Sequence, residues 1–150
     1  MRTEIERPGT AGIPGTEEDD GMLIQRRGDD PRDWELYGGE GSVQIEWYFR
    51  EASQLPANVM LYHLEPGAEE GVHFHLEDDP DSCSTYSSDE MYVVTRGEVV
   101  MILADERVVL RAGDAAYAPH GHPHGVVNES AEPAELVLLF GPPKDPAPTA

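Results

Sequence analysis

Residues 113–128 read Gly-Asp-Ala-Ala-Tyr-Ala-Pro-His-Gly-His-Pro-His-Gly-Val-Val-Asn, a glycine turn followed by a short apolar run and a histidine segment. Gly113 stands in a sequence typical of a tight turn, where glycine supplies a positive φ angle. The run from Ala115 to Ala118 has the length of a short strand, and Pro119 and Pro123 stop that strand where the chain turns. This part of the chain therefore predicts β-structure with tight connections.

A second stretch, residues 71–75, reads Gly-Val-His-Phe-His and places two histidines two residues apart. Side chains on a β-strand point alternately to its two faces, so the imidazoles of His73 and His75 share one face. Two ring nitrogens on one face can converge on one metal ion.

Short β-type runs fill the chain between residues 43 and 141, and glycine or proline stands at nearly every junction. No sustained helical period appears. Many short strands at even spacing predict an all-β fold, an antiparallel sandwich or barrel. The predicted strands are Val43 to Arg50, Val59 to Glu65, Met91 to Thr95, Glu98 to Leu103, Arg107 to Arg111, Ala115 to Ala118 and Ala134 to Phe140.

The segments outside the barrel lack apolar periodicity. Residues 1–21 are rich in Gly, Pro, Thr and Glu and are expected to form a flexible N-terminal arm. Residues 22–42 form an N-terminal extension, residues 43–141 the barrel, and residues 142–150 a proline-rich flexible tail.

Composition excludes several classes of function. The chain has 150 residues, 39% of them hydrophobic, which suits a single domain with one core. Its net charge of -20, with 10 basic against 30 acidic residues, argues against nucleic acid and anionic membranes as partners. No apolar run reaches the roughly 18 residues of a membrane span, and no signal peptide is evident, so we expect a soluble, cytoplasmic protein. The one cysteine, Cys83, excludes an intrachain disulfide.

Five residues resemble the first motif of the cupins: Gly67, His73, His75, Glu90 and Gly97. Five residues separate the first glycine from His73, one separates the two histidines, and six separate Glu90 from the last glycine, as in that family.

The second cupin motif is matched at every spacing, by Gly113, Pro119, Gly121, His124 and Asn128. The resemblance covers about residues 43–141 and implies a jelly-roll barrel that binds one divalent transition metal, Fe, Zn, Mn, Ni or Co. The ligands that it implies are His73, His75, Glu90 and His124.

One departure from the family lies between the two halves of the first motif. Fourteen residues, Leu76 to Asp89, separate His75 from Glu90, where cupins usually have three or four. We expect the additional residues to form a loop beside the metal, as a lid or as a wall of the pocket. The spacing from Glu90 to the final glycine of the motif favours Glu90 as the ligand over Glu77 or Asp89.

Two neighbours of the ligands are candidate catalytic residues. Four protein ligands on an octahedral ion leave two positions for a substrate oxygen and for dioxygen or water. Tyr92 follows Glu90 by two residues and points inward with it, where it either donates a hydrogen bond to a bound oxygen or fills the core. His122 is a candidate for an acid-base role or for supporting a ligand.

Three other residues are not expected to take part in metal binding or catalysis. The Gly and Pro residues around His120 break the strand alternation, so His120 is not expected to bind the metal. His63 is expected to be a strand residue near the end of the barrel. Cys83 is expected to be an exposed, inert thiol unless its loop folds over the site.

The predicted function is that of a metal-dependent enzyme acting on a small organic molecule. Resemblance to single-domain cupins suggests either an Fe(II) oxygenase or a cyclase or isomerase like the monocupins of aromatic polyketide pathways. The sequence leaves both open. The alternative is a non-catalytic cupin that binds a small ligand, and the lack of an attached output domain counts against it.

The resemblance also implies a homodimer, since small jelly rolls often pair through exposed sheet edges. In such a dimer Trp34 and Tyr37 of the N-terminal extension could cross onto the partner.

Overall fold

The computed structural model describes residues 16–19 and 21–144, and these residues form twelve β-strands and no helix. Nothing in these two ranges is a helix long and apolar enough to cross a membrane. The strands are β1 (Thr16–Asp19), β2 (Met22–Gln25), β3 (Pro31–Trp34), β4 (Val43–Trp47), β5 (Asn58–Leu64), β6 (Glu69–His73), β7 (Asp89–Arg96), β8 (Glu98–Leu103), β9 (Glu106–Arg111), β10 (Ala115–Ala118), β11 (His124–Val127) and β12 (Ala134–Gly141).

The strands form two large antiparallel sheets and one small hairpin. The first sheet has six strands in the order β10-β7-β12-β5-β4-β3, and the second has four in the order β6-β11-β8-β9. Strands β1 and β2 pair only with each other. The predicted all-β jelly-roll fold is confirmed, since consecutive strands repeatedly cross between sheets.

The core lies between the two large sheets. Strand β7 shows how the sequence builds it, because Tyr92 and Val94 are buried while Met91 beside them is 40% exposed. The six-stranded sheet adds further apolar side chains from β4, β5 and β12, and β8 and β11 supply the facing layer. Among these are Ile45, Leu64, Leu136, Met101 and Val126.

All seven predicted strands are present, with ends that differ by at most three residues. The largest difference is at β4, which ends at Trp47 rather than Arg50 because Phe49 adopts a positive φ of 49° in a turn. Five further strands, β1, β2, β3, β6 and β11, were not among these seven runs. Residues 71–75 were expected to lie on a strand, and β6 ends at His73, so His75 lies just beyond it. Of the predicted flexible segments, residues 1–15, 20 and 145–150 lie outside the described residues.

The N-terminal extension lies against β6. The backbone N–H of Gly71 donates to the carbonyl of Leu36 at 3.0 Å, within a parallel bridge between Leu36 and Glu70. A Cβ at Gly71 would lie 2.1 Å from the carbonyl oxygen of Tyr37, so only glycine permits this approach. The extension is thereby fixed beside the two histidines of residues 71–75.

Candidate metal centre

The structure brings the four predicted ligands together. His73 ends β6, His75 lies two residues beyond it, Glu90 is on β7 and His124 begins β11. All four side chains are buried, and one donor atom from each lies within 4.8 Å of the others.

The cluster lies between the two large sheets. His73 is paired directly with His124 across β6 and β11, and their ring centroids are 4.4 Å apart. Glu90 comes from the opposite sheet, where β7 turns its even-numbered side chains inward. Ligands from both sheets therefore meet at one point inside the sandwich.

Backbone carbonyls fix the orientation of two of the three rings. Nδ1 of His73 lies 2.8 Å from the carbonyl oxygen of Gly71, and Nδ1 of His124 lies 2.8 Å from that of His122. A carbonyl oxygen can only accept, so each Nδ1 carries the proton and each Nε2 faces the cluster. Nε2 is then the nitrogen available to a metal.

A serine of the insertion fixes the third ring. Nδ1 of His75 lies 3.0 Å from Oγ of Ser84, and the Ser84 hydroxyl donates to the carbonyl of Tyr86 at 2.7 Å. Because that hydroxyl proton is engaged, Ser84 accepts the Nδ1 proton of His75. Sequence reasoning missed Ser84, since a serine in a loop without periodicity carries no signal of the ring that it supports.

The carboxylate of Glu90 holds the imidazoles together electrostatically. Its Oε2 lies 2.7 Å from Nε2 of His124, and its Oε1 lies 3.1 Å from Nε2 of His75. Burial alone would raise the pKa of Glu90, but the hydrogen bonds from His124, His73 and His75 hold that pKa far below its ordinary value. Burial lowers the pKa of His124, but the hydrogen bond and the charge of Glu90, together with the His122 carbonyl and the charge of Glu70, outweigh burial and raise that pKa.

The donor set fits one divalent transition metal. Three imidazole nitrogens and one carboxylate oxygen suit the ions from Mn(II) to Zn(II). The four donor atoms lie within 4.8 Å of one another. Two donors on opposite sides of an ion with bonds of about 2.0–2.1 Å lie roughly 4 Å apart, so the observed spacing is close to that of a metal site. A divalent cation would also replace the proton that His124 shares with Glu90.

Tyr92 points inward as predicted, and its hydroxyl joins two buried carboxylates. The oxygen lies 2.7 Å from Oε2 of Glu90 and 2.6 Å from Oε1 of Glu70, while the Tyr62 hydroxyl donates to the other oxygen of Glu70 at 2.8 Å. A phenol has one proton, so Tyr92 can donate to only one carboxylate. Both contacts are hydrogen bonds only if one carboxylate is protonated. We assign that proton to Glu70, because Glu90 already accepts from His124 and His75 and because burial raises the pKa of Glu70. Glu70 then donates to Tyr92, and Tyr92 donates to Glu90.

Sequence reasoning missed Glu70 because of a β-bulge. Gly125 on β11 faces two residues of β6, since His124 pairs with His73 and Val126 pairs with Glu70. The extra residue lets Glu70 and His73, three positions apart, both face the interior. A strict alternation along β6 would have placed them on opposite faces.

The other histidines stand apart from the cluster. His122 is exposed, with Nδ1 3.2 Å from the carbonyl of His120, and its acid-base role stays a prediction. His120 pairs with Asp89 at 2.8 Å, and His63 lies on β5 within 3.2 Å of Glu135.

The N-terminal extension and the insertion both reach the site. The Tyr37 ring stacks on the His73 ring with centroids 3.7 Å apart. Sγ of Cys83, although the residue is exposed, lies 3.2 Å from Nδ1 of His75. Trp34 packs against the core of its own chain. The homodimer with Trp34 and Tyr37 on the partner stays a prediction.

A cavity of about 140 Å³ lies beside the cluster and is bounded by His75 and Glu90. The insertion contributes Tyr86 to its lining, so this loop forms part of a wall. The extension contributes Tyr37 and Trp34.

A family of known proteins matches this arrangement. The sequence model of the cupin domain matches residues 60–140, more than half of the chain. The protein is a cupin. The matched range contains all four residues of the metal cluster, whereas the extension lies before it.

Solved structures of other cupin-like proteins resemble the chain. A Thermus thermophilus protein is 36% identical, with 65% of this chain and 83% of that chain covered and a TM-score of 0.52. A predicted oxalate decarboxylase from Thermotoga maritima is 23% identical, with 81% and 100% covered and a TM-score of 0.68. A sugar phosphate isomerase from Silicibacter pomeroyi is 22% identical, with 67% and 60% covered and a TM-score of 0.55. No curated protein matches this cupin.

Proposed function

We propose that this cupin is a metal-dependent enzyme that acts on a small organic substrate, as either an oxygenase or a cyclase or isomerase. The observation that carries the proposal is the cavity of about 140 Å³ that His75 and Glu90 border. A purely structural metal would be enclosed by its ligands, whereas a catalytic site keeps an accessible side. The cavity gives a substrate oxygen access to that side.

The chain's own residues prepare the site for such an ion. The carbonyls of Gly71 and His122 and the hydroxyl of Ser84 hold the three Nε2 atoms toward the centre. Tyr92 donates to Glu90 and keeps this carboxylate in place. When bound, the ion supplies Lewis acidity and, if it is redox-active, electron transfer.

The reaction class is a matter for experiment, because one fold supports many chemistries. The names of the similar structures span an isomerase and a decarboxylase, and at this low identity they support the fold alone. An oxygenase consumes dioxygen in step with substrate, whereas a cyclase or isomerase turns over without it.

The test uses the full chain loaded with one metal at a time, Fe(II), Mn(II), Ni(II), Co(II) or Zn(II). Each form is incubated with a panel of phenols, catechols and 1,3-diketones, with and without dioxygen, and products are identified by mass spectrometry. His124→Ala, which removes a predicted ligand, serves as the inactive control. We expect turnover with at least one metal. Metal binding without conversion of any bound compound would instead indicate a binding protein.

A further inference from the structure

Resting on the function proposed above, we infer that the substrate is an uncharged single-ring aromatic molecule that carries one or two ring oxygens, a phenol or catechol. Its ring would lie in the cavity beside the metal centre, with an oxygen directed toward His75 and Glu90.

The cavity has the size of one aromatic ring. Its volume is about 140 Å³. An apolar cavity of roughly 150 Å³ in another protein binds benzene, so the space accommodates one six-membered ring.

Aromatic side chains make up most of its wall. Trp47 and Phe140 form an edge-to-face pair with centroids 5.4 Å apart, and Trp34, Tyr62 and Tyr86 add further rings. Leu36, Met60 and Leu138 complete the apolar lining. Aromatic rings favour an aromatic guest through stacked and edge-to-face contacts, in addition to the burial of apolar area.

The charges around the cavity exclude a strongly anionic substrate. None of the described residues that line it is a lysine or an arginine, and its only titratable groups besides tyrosines are His75 and Glu90. Phosphate groups in proteins are held by such cations or by backbone N–H groups at helix ends, and the described residues contain no helix. A divalent ion beside the Glu90 carboxylate would leave one positive charge, which suits the oxygen of a neutral phenol or catechol better than a phosphate dianion.

Part of the wall comes from before the family match or from the insertion. Trp34, Tyr37 and Trp47 precede residue 60, and Tyr86 belongs to the insertion. Substrate preference can therefore be altered without touching the four residues that would hold the metal.

The test measures binding of catechol to the Zn(II)-loaded full chain by calorimetry, which avoids redox turnover. Glucose 6-phosphate and trans-cyclohexane-1,2-diol are the comparison probes, because one adds a phosphate and the other lacks an aromatic ring. Tyr86→Leu and Trp47→Leu are the test variants, and Tyr86 is 55% exposed, so its replacement leaves the core intact. Tyr48→Leu is the matched control, since Tyr48 is adjacent to Trp47 in the chain but does not line the cavity.

We expect catechol to bind more tightly than either comparison probe. The affinity should fall about three- to tenfold in each test variant, as expected for one lost aromatic contact, with Zn(II) content unchanged and the control like wild type. Tighter binding of glucose 6-phosphate or of the diol, or equal affinities in all variants, would overturn the substrate class while leaving the metal site in place. Failure of the wild type to bind any divalent metal would instead overturn the proposed function.

Discussion

The partner of each histidine Nδ1 atom decides which nitrogen faces the metal centre. His73 and His124 use backbone carbonyls, which no substitution can remove, whereas His75 depends on the side chain of Ser84. Sγ of Cys83 also lies 3.2 Å from Nδ1 of His75, but sulfur is the weaker acceptor. The orientation of His75 is therefore the one that a point mutation of a side chain can loosen.

We predict that Ser84→Ala weakens metal binding about 10- to 100-fold, the usual effect of losing a residue that supports a ligand. Ser87→Ala is the matched control, because Ser87 lies in the same insertion and accepts a hydrogen bond from the backbone N–H of Glu77 instead. Competition against a fluorescent chelator gives both affinities. Similar losses in the two variants would mean that Ser84 acts only through the fold of the loop.

Glu70 provides a test of the proton assignment. Glutamine reproduces a protonated glutamate, donating to Tyr92 and accepting from Tyr62, so Glu70→Gln should unfold in urea with nearly the wild-type free energy. Glu70→Ala should lose about 1–3 kcal/mol, because the buried Tyr62 hydroxyl is left without its acceptor while Tyr92 still donates to Glu90. If the two substitutions were equally destabilising, Glu70 would be ionised in the folded protein.

At the scale of strands, alternation in the sequence predicted seven of the ten strands in the two large sheets, and β3, β6 and β11 were not among the seven predicted runs. Strands β6 and β11 are short and contain glycines, and a bulge shifts their register. Glycine weakens a strand pattern, and here it is required by close backbone contacts that the sequence does not display. The ligands themselves were predicted from motif spacing, which does not depend on recognising the strand.

Gly71→Ala should destabilise the protein by about 1–3 kcal/mol, because its Cβ would lie 2.1 Å from the Tyr37 carbonyl oxygen and would displace the extension. Val72→Ala is the control on the same strand, since Val72 is 49% exposed and surface substitutions usually change stability by less than about 0.5 kcal/mol. Urea unfolding gives both values. A Gly71→Ala variant as stable as the control would show that the extension does not need this contact.

Two interacting side chains, His63 on β5 and Glu135 on β12, should make the free energy of unfolding depend on pH. The hydrogen bond to Glu65, with that to Glu135, outweighs partial burial and raises the pKa of His63 above 6.5. The hydrogen bond from Arg27 is the main cause that lowers the pKa of Glu135 below 4.5. The stability that protonated His63 contributes is thus complete below pH 6.5 and is lost as the pH rises through the pKa of His63 in the folded protein. The stability that ionised Glu135 contributes is complete above pH 4.5 and is lost as the pH falls through the pKa of Glu135 in the folded protein.

His63→Gln should therefore destabilise the protein more at pH 5.5 than at pH 8.5, as measured by thermal unfolding. His122→Gln is the control, because the His122 ring contacts a backbone carbonyl. A loss that is the same at both pH values would show that protonated His63 adds nothing to stability.

At the scale of the whole molecule, the N-terminal extension adds to a site that the range matched by the family largely builds. Residues 60–140 contain the metal cluster and most of the cavity lining, including Tyr86 of the insertion, while the N-terminal extension adds Trp34 and Tyr37 to the wall. The fold class and the cluster were predictable because spacing and motifs constrain them directly. The position of Tyr37 on His73 was not, since a segment without periodicity gives no information on the surface against which it packs.

The most direct test is the metal content per chain of protein purified without chelator or nickel resin, measured by elemental analysis for wild type and three variants. We expect close to one equivalent of a divalent transition metal in wild type and in His120→Ala. His75→Ala and His124→Ala should each lose it. A wild-type protein that neither contains nor takes up such a metal, or equal losses in all three variants, would contradict the assignment of His73, His75, Glu90 and His124 as the metal centre.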